Sequence, residues 1–188
     1  MENTDERRRC SWVNLKNPLC VQYHDMEWGR PLHDDRALFE FLILESFQAG
    51  LSWECILNKR EAFRKAFDNF NPESLCRWGD EKTEELMKNP AIVRNRRKIS
   101  AALGNARVFQ KIQREFGSFD SYLWGWIGGR TIIERGRSKS ELSDRISADL
   151  KKRGMKFTGS TVTYSFLQAA GLIYSHDEDC FLSRGEQP

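Results

Sequence analysis

Two residues near the end of the chain have side chains that commonly bind metal ions. His176 and Cys180 lie four positions apart in the segment LIYSHDEDC (172–180), which is otherwise mostly polar and acidic. On a helical or turn-like backbone, positions four apart share a face, so both side chains can reach one tetrahedral zinc at about 2.0–2.3 Å. A structural zinc site needs four protein ligands, so two more must come from elsewhere.

The other two ligands are expected near the start of the chain, where Cys10, Cys20 and His24 lie. Cys20 and His24 repeat the compact spacing of His176 and Cys180, whereas Cys10 is fourteen residues before His24. Spacing alone therefore favours Cys20. With either cysteine, the prediction is a Cys2His2 site that ties the two ends of the chain together. The alternative is a set of separate surface histidines and packed thiols.

Composition limits the class of protein that can present these residues. The 188 residues, 39% hydrophobic and 30% charged, are typical of one globular domain. No apolar run approaches the roughly 18 residues of a membrane span, and the start MENTDERRRC does not resemble a secretory signal. We therefore predict a protein without membrane partners that acts in the cytoplasm. Five irregularly spaced cysteines then suggest reduced thiols or metal ligands rather than disulfides.

Positive charge is concentrated in one part of the chain, although the net charge is only +3. Seven basic residues and no acidic residue occur between positions 94 and 114: Arg94, Arg96, Arg97, Lys98, Arg107, Lys111 and Arg114. A second basic run lies at 151–156. This segregation predicts one face that binds a polyanion. The alternative is a solvated helix face that happens to be basic.

The apolar pattern predicts an all-α fold. Capping oxygens at 33–35 precede a helical pattern that ends at Gly50, and Ser52 begins another helix that runs to Asn71-Pro72. The strand signal is weak and is confined to 131–133, and the Gly- and Arg-rich segment 128–139 is predicted to be a loop. Further helices are predicted at 73–79, 80–88, 95–115, 119–127, 140–153 and 160–173.

The junction at 88–98 predicts a helix, a hairpin and a second helix. Backbone N–H groups of such a hairpin and of the following helix point at one spot, where the helix dipole favours an anion. A DNA phosphate is the expected anion, with contacts from Arg94, Arg96, Arg97 and Lys98. The alternative is a tight helical turn without a ligand, because Pro90 and Ala91 stand where a nucleic-acid hairpin would have glycine.

Four longer segments carry a resemblance to a known family. They are YHDMEWGRP (23–31), LESFQAGLSWECIL (44–57), KNPAIVRNRRKISAALGNAR (88–107) and KKRGMKFTGSTVTYSFLQAAGLIYSHDEDC (151–180). Together they resemble the DNA-3-methyladenine glycosylase I family, in order, from about Cys10 to Cys180. The resemblance implies a helical domain of the helix-hairpin-helix glycosylase superfamily at 10–181. Flexible extensions are then expected at 1–9 and 182–188.

The resemblance also implies a ligand set for the metal. The zinc cysteine of the family near the N-terminus matches Cys10 in RRRCSWV, and His24, His176 and Cys180 complete the set. Cys20 instead matches a position where relatives often have an aromatic residue beside the base pocket. One wall of that pocket is therefore expected to differ here.

A glycosylase must first take its base out of the stack, because the bond to be cut is inaccessible inside the duplex. Methylation at N3 makes adenine cationic and weakens its bond to the sugar. Glu45 is the predicted catalytic residue, because a partly buried carboxylate accepts hydrogen bonds from the purine edge and favours a cation. The resemblance places stacking on Tyr23 and Trp53, with Trp28 nearby, and the alternative for these rings is core packing.

By resemblance, Gln48 and Leu51 enter the gap that the flipped nucleotide leaves, and the turn at Gly50 suits such a wedge. Without the resemblance, Leu51 would be interpreted as a core residue at a helix end. Later residues are expected to line the pocket or the DNA backbone: Lys156, Phe157, Gly159 and Ser160.

The predicted activity is monofunctional hydrolysis with water as the nucleophile. No acid occurs between Arg94 and Arg114, where many glycosylases of the superfamily have an aspartate, and the 3-methyladenine branch is similar in lacking it. The expected partners are alkylated double-stranded DNA and free 3-methyladenine as product, with the protein a monomer. The alternatives are a catalytically inactive, zinc-stabilised DNA-binding module and a zinc-stabilised protein-interaction domain.

Overall fold

The structure is a computed structural model that describes residues 7–183, and helices dominate it. The helices are α1 (Pro18–Met26), α2 (Asp35–Gln48), α3 (Trp53–Leu57), α4 (Arg60–Ala66), α5 (Pro72–Leu75), α6 (Asp80–Met87), α7 (Arg96–Phe116), α8 (Phe119–Gly125), α9 (Glu141–Lys152) and α10 (Ser160–Ala169). A 3-10 turn spans Asp68–Phe70, and two strands, β1 (Ile132–Ile133) and β2 (Ile173–Tyr174), pair in parallel. The prediction of a mainly helical fold is confirmed.

Helix α2 lies at the centre of the molecule. Asp34 caps it by accepting a hydrogen bond from the N–H of Ala37 at 2.8 Å. Every residue from Leu38 to Phe47 is buried, and the helix contacts α3, α7, α8 and α10. A helix that is apolar on nearly all sides is stable only inside a protein. Any polar side chain in its last turns must therefore lie in the core or in a cavity within it.

Helix α7 is the long amphipathic helix that follows the predicted hairpin. Asn95 caps it by accepting a hydrogen bond from the N–H of Lys98 at 3.2 Å, and Gly117, with φ of 86°, ends it. Its buried face includes Ile99 and Phe109 and packs against α2, α5, α6 and α8. Loop 88–95 joins α6 to α7, so the structure contains the predicted pair of helices with a short connection.

The prediction of one helix from Ser52 to Asn71-Pro72 is wrong. Helix α3 stops at Asn58, whose N–H donates to the carbonyl oxygen of Glu54 at 3.0 Å, and regular bonding resumes only where Phe63 donates to Lys59. The apolar residues of both pieces are buried, so their spacing alone does not reveal the break. The predicted helices at 73–79 and 119–127 are shorter, since α5 covers Pro72–Leu75 and α8 ends at Gly125.

Helix α10 also ends earlier than predicted. Gly171 has φ of +75°, and a Cβ atom there would lie 2.3 Å from the carbonyl carbon of Arg30. The chain therefore leaves the helix and forms β2, whose Ile173 pairs with Ile132 of the weak strand signal at 131–133. Helix α1 was not predicted, although the Asn17-Pro18 sequence is a start signal, with an asparagine cap and proline in the first turn.

The two ends of the described chain meet. The N–H of Phe181 donates to the carbonyl oxygen of Arg8 at 2.7 Å, and the hydroxyl of Tyr174 donates to the carbonyl oxygen of Leu182. Most of the extensions predicted at 1–9 and 182–188 lies outside the described residues, namely 1–6 and 184–188. Within residues 7–183, no helix is long and apolar enough to cross a membrane.

Candidate functional site

A cavity of about 480 Å³ lies between the end of α2, helix α1 and the loop after β1. Four of its lining residues are aromatic: Trp12, Tyr23, Trp28 and Trp53. The ring centroids of Tyr23 and Trp53 are 5.0 Å apart, and those of Trp12 and Trp28 are also 5.0 Å apart. Clustered rings with negative faces form a site for a flat, positively charged ligand.

Two polar atoms in this aromatic wall are buried. Neither the hydroxyl of Tyr23 nor Nε1 of Trp53 has a hydrogen-bond partner within residues 7–183. Burial, and then the nearby carboxylate of Glu45, raises the pKa of Tyr23 well above its usual value, so the hydroxyl stays protonated and can donate. Buried groups of this kind usually have partners, so a ligand that accepts hydrogen bonds would satisfy them.

Glu45 lies in the last turns of α2 and lines the same cavity. The residue is 5% exposed, and burial raises the pKa of its carboxyl group to about 8. No hydrogen bond to this carboxyl group occurs among the described residues. A cation in the cavity would favour the ionised form, because it would replace the water that the carboxylate has lost. The site is therefore suited to a cationic ligand.

The turn after α2 presents the residues predicted to act as the wedge. Gln48 lines the cavity, and its Nε2 donates to the carbonyl oxygen of Leu51 at 2.9 Å. The N–H of Leu51 donates back to the carbonyl oxygen of Gln48 at 2.7 Å, and Gly50 has φ of +80°. The side chain of Leu51 belongs to a residue that is 37% exposed, so it is not the buried core residue of the alternative interpretation.

Sequence reasoning missed part of the cavity wall. Trp12 lies two positions after Cys10 and packs edge-on against His24 at 5.5 Å, a position that the matched word RRRCSWV contained without a predicted role. Arg137 and Ser138 also line the cavity, and both come from the predicted loop 128–139. Nothing in the spacing of that loop indicated that it returns to the end of α2.

A second cluster lies behind the aromatic wall. Cys10, His24, His176 and Cys180 are all buried, and their potential ligand atoms lie within 4.8 Å of one another. Sγ of Cys10 is 3.3 Å from Nδ1 of His176, and Sγ of Cys180 is 3.5 Å from Nε2 of His24 and 3.6 Å from Nδ1 of His176. Bond lengths of 2.0–2.3 Å around a tetrahedral zinc give ligand separations of about 3.3–3.8 Å. The four residues fit such an ion.

The preference for Cys20 that came from spacing is wrong. Cys20 is buried on α1, outside the cluster, and it is not among the residues that line the cavity. Cys10 reaches the site because the segment before α1 runs beside the end of the chain, where Asp177 accepts a hydrogen bond from the N–H of Ser11 at 2.6 Å. Sequence spacing does not report this contact between distant segments.

Neighbouring groups hold the imidazoles in position. Nδ1 of His24 lies 2.8 Å from Oδ1 of Asp25, and Arg9 donates to the same carboxylate at 2.7 Å. A Cβ atom at Gly29 would lie 2.9 Å from Nε2 of His176, so only glycine leaves that ring its place. Burial lowers the pKa of His24, and it lowers that of His176 to about 4, which keeps both rings in the neutral form that binds metals.

Comparison with known proteins decides the family. The family model described as methyladenine glycosylase matches residues 12–183. The chain belongs to this family. It is 39% identical to DNA-3-methyladenine glycosylase 1 of Escherichia coli (strain K12) over 186 residues, which cover 96% of this chain and 99% of that protein. The family predicted from the sequence is therefore confirmed.

Two solved structures of 3-methyladenine DNA glycosylase I are similar to this one. A tyrosine-to-phenylalanine variant in complex with 3-methyladenine is 36% identical, with a TM-score of 0.90, covering 96% of this chain and 99% of that chain. The Staphylococcus aureus protein, described with the structural basis of 3-methyladenine recognition, is 37% identical, with a TM-score of 0.90, covering 95% of this chain and 97% of that chain.

The basic residues of this methyladenine glycosylase family member divide into two groups. Arg94, Arg96 and Arg97 are exposed at the start of α7, and Nη2 of Arg96 donates to Oε2 of Glu84 at 2.9 Å. Lys98 is buried, and its contacts are with carbonyl oxygens at the end of α2. The structure thus brings three of the four predicted DNA contacts together on the surface and places the fourth inside.

The later motif lies beside the cavity rather than in it. None of Lys156, Phe157, Gly159 and Ser160 is among the lining residues, and Ser165 and Gln168 of α10 form that part of the wall. The N–H and carbonyl oxygen of Lys156 both bond to the side chain of Asn105, at 2.9 Å each. This pairing ties the segment before α10 to α7, which is the structural role that the contacts support.

Proposed function

We propose that this protein is a DNA-3-methyladenine glycosylase. It hydrolyses the N-glycosidic bond of 3-methyladenine in alkylated double-stranded DNA and releases the free base, which is the first step of base excision repair. Membership of the methyladenine glycosylase family supports this function, as does the similarity to a structure in complex with 3-methyladenine.

The observation that carries the proposal is the carboxyl group of Glu45 in an aromatic cavity. The flipped base is a flat cation, and Tyr23, Trp28 and Trp53 offer it ring faces worth about 0.5–2 kcal/mol each in cation–π attraction. Normal adenine is neutral and gains neither this attraction nor the charge of Glu45. The cavity therefore selects the damaged base by its charge.

The same charges assist the bond cleavage. As the bond breaks, its electron pair moves to N9, the sugar becomes cationic at C1′, and the base leaves as a neutral molecule. Water then adds to C1′ and loses a proton to solvent. Glu45 orients the base by accepting hydrogen bonds from its edge, and the protonated hydroxyl of Tyr23 is available as a donor. Both groups are fixed before the substrate arrives, which is how a site stabilises a transition state.

The surface next to the cavity supports the predicted contacts with DNA. Leu51 stands out of the turn after α2, where it fills the gap in the duplex together with Gln48. Arg94, Arg96 and Arg97 at the start of α7 contact phosphates, and the α6–α7 pair acts as the helix-hairpin-helix unit. These positions place the wedge between the phosphate contacts and the pocket.

Zinc is the metal that we propose for the four-residue cluster. Two thiolates and two imidazoles are its preferred ligands in closed structural sites, which agrees with the observed separations. A bound ion offsets the burial that raises the pKa of Cys10 to about 12, and so keeps its sulfur deprotonated. The metal would cross-link the two ends of the domain, and Cys10, His24, His176 and Cys180 would hold it away from the base.

We further propose a cytoplasmic monomer that cuts no DNA strand. Lys98 is the lysine nearest in sequence to the position of a Schiff-base lysine in a hairpin, and its ammonium is committed to backbone carbonyls. Water remains as the nucleophile. Alkylated duplex incubated with the protein should therefore give free base and abasic sites, and nicks only after added base or heat.

Chromatography of the bases released from methylated genomic DNA tests the main proposal. The expected product is 3-methyladenine, with Glu45→Gln reduced at least about a hundredfold because its amide provides no negative charge. Glu81→Gln is the matched control, since Glu81 is exposed on α6, away from the cavity. Release of no methylated base by the wild-type protein would favour the inactive DNA-binding module instead.

A further inference from the structure

The side chain of Lys98 joins two parts of the molecule that the proposed function uses separately. The residue is 7% exposed. Its Nζ donates to the carbonyl oxygen of Phe47 at 2.7 Å and to that of Ala49 at 2.5 Å. Its neighbours Arg94, Arg96 and Arg97 are exposed, so Lys98 differs from the residues with which it shares the basic stretch.

The two acceptor carbonyls lie at the C-terminal end of α2. Carbonyl groups there have no N–H partner within the helix, and they carry the negative end of the helix dipole. An ammonium group placed between them satisfies both carbonyls and favours that dipole. Ala49, where the helix ends, has φ of −48° and ψ of 114°, so the chain turns away at the point where Lys98 holds it.

The segment held in this way carries the chemistry and the wedge. Glu45 is two residues before Phe47, Gln48 lies between the two acceptors, and Leu51 is two residues after Ala49. The wedge turn closes on itself through the bonds between Gln48 and Leu51. Lys98 is therefore positioned to fix the whole turn and the acid relative to α7.

The other end of Lys98 belongs to the predicted phosphate site. The residue is in the first turn of α7, and its backbone N–H donates to the cap residue Asn95 at 3.2 Å. Loop 88–95 has a second tie to the same region, since Nζ of Lys59 donates to the carbonyl oxygen of Ala91 at 3.2 Å. A duplex bound at the start of α7 is thus connected to the end of α2 through one buried side chain.

We propose that Lys98 is a positioning residue that holds Glu45 and the Leu51 wedge at a fixed distance from the phosphates bound at the start of α7. It acts on the reaction through the geometry of the α2 end and contacts neither the base nor a phosphate. The proposal rests on the proposed glycosylase function, because its effect on catalysis is the placing of a base and a wedge.

Two measurements on Lys98→Met separate this role from a phosphate contact. The first is the salt dependence of duplex affinity, in which each lost phosphate contact lowers the slope of log K against log salt by about 0.9. The second is the single-turnover rate of base release at saturating protein. Arg97→Met is the comparison for a phosphate contact, and Lys65→Met is the control, since Lys65 is exposed on α4.

The expected result for Lys98→Met is an unchanged salt slope and a release rate lowered by about tenfold or more, because small misplacements cost such factors. Arg97→Met should lower the slope and leave the saturated rate nearly unchanged. Lys98→Arg, which keeps a charged donor, should restore part of the rate. Should Lys98→Met not fold, Lys98→Gln, which keeps N–H donors without the charge, is judged by the same two measurements.

A third measurement keeps this inference separate from the proposed function. A duplex with a stable abasic analogue beside 2-aminopurine gains fluorescence when the wedge unstacks the neighbouring base, and it needs no bond cleavage. The gain should be smaller with Lys98→Met at equal saturation. If the wild type releases no 3-methyladenine, the glycosylase proposal fails while slope and fluorescence still decide the role of Lys98. A lowered slope with a normal saturated rate, or no change in any measurement, overturns the positioning role.

Discussion

The ring of Trp28 packs edge-on against the ring of His176, with centroids 4.7 Å apart. Trp28 lines the cavity and His176 belongs to the metal-ligand cluster, so one contact joins the two sites. The same connection occurs along the chain, because Tyr23 of the cavity precedes His24 of the cluster, and Trp12 follows two positions after Cys10. The aromatic wall is therefore built on the residues that would hold the metal.

Loss of the metal should damage base binding as well as stability. Cys10→Ser is expected to lower the melting temperature by about 10 °C, since a structural ion contributes several kcal/mol of folding free energy. It should also weaken binding of free 3-methyladenine, measured by quenching of tryptophan fluorescence, because Trp12 loses its support. Cys76→Ser is the control, as Cys76 lies outside the cluster. An unchanged metal content in Cys10→Ser would contradict the assigned ligand set.

The raised pKa of Glu45 predicts how stability depends on pH. The folded value is about 8 and the ordinary value is 4.5, so the folded state binds more protons than the unfolded state between these two values. The free energy of unfolding should therefore fall as pH rises through this window. The full shift would amount to about 5 kcal/mol, and water in the open cavity reduces the expected loss to about 1–3 kcal/mol.

Glu45→Gln removes this titration. Its free energy of unfolding, from urea denaturation, should match the wild type near pH 5 and exceed it by about 1–3 kcal/mol near pH 8.5. Glu81→Gln serves again as the control, and its curve should run parallel to that of the wild type. Parallel curves for Glu45→Gln as well would show that the carboxyl group is solvated in the folded protein.

Arg137 predicts a division between binding DNA and binding the free base. It is an exposed cation that lines the cavity, so it repels a cationic base while it attracts a phosphate at the cavity mouth. Arg137→Gln should weaken duplex binding severalfold and lower the salt slope by about 0.9. Its affinity for free 3-methyladenine should stay the same or rise. Arg130→Gln, an exposed arginine of the same loop outside the cavity lining, should alter neither quantity.

How far the sequence predicts this site depends on the kind of contact involved. Glu45 was predictable because one carboxylate among the apolar residues of α2 must lie in the core or in a cavity. Cys10 was not predictable from spacing, because it reaches the cluster through contacts with residues more than 160 positions away. Trp12 and Arg137 were missed for the same reason. Lys98 looked like another surface charge, since a sequence does not show that α2 ends with two carbonyls facing it.

The last prediction concerns the wedge. Leu51 is 37% exposed and sits in a turn whose backbone is held by Gln48, so Leu51→Ala removes few contacts within the folded protein. Its melting temperature and its affinity for free 3-methyladenine should match those of the wild type. Base release from duplex DNA should fall by about tenfold or more, because an unfilled gap lets the nucleotide return to the stack. Single-turnover assays on duplex and single-stranded alkylated DNA measure this, and the deficit should shrink on single strands, where no stack competes. Leu15→Ala, at a more exposed leucine far from the turn in sequence, is the control. Equal deficits on both substrates would mean that Leu51 shapes the pocket and does not act as a wedge.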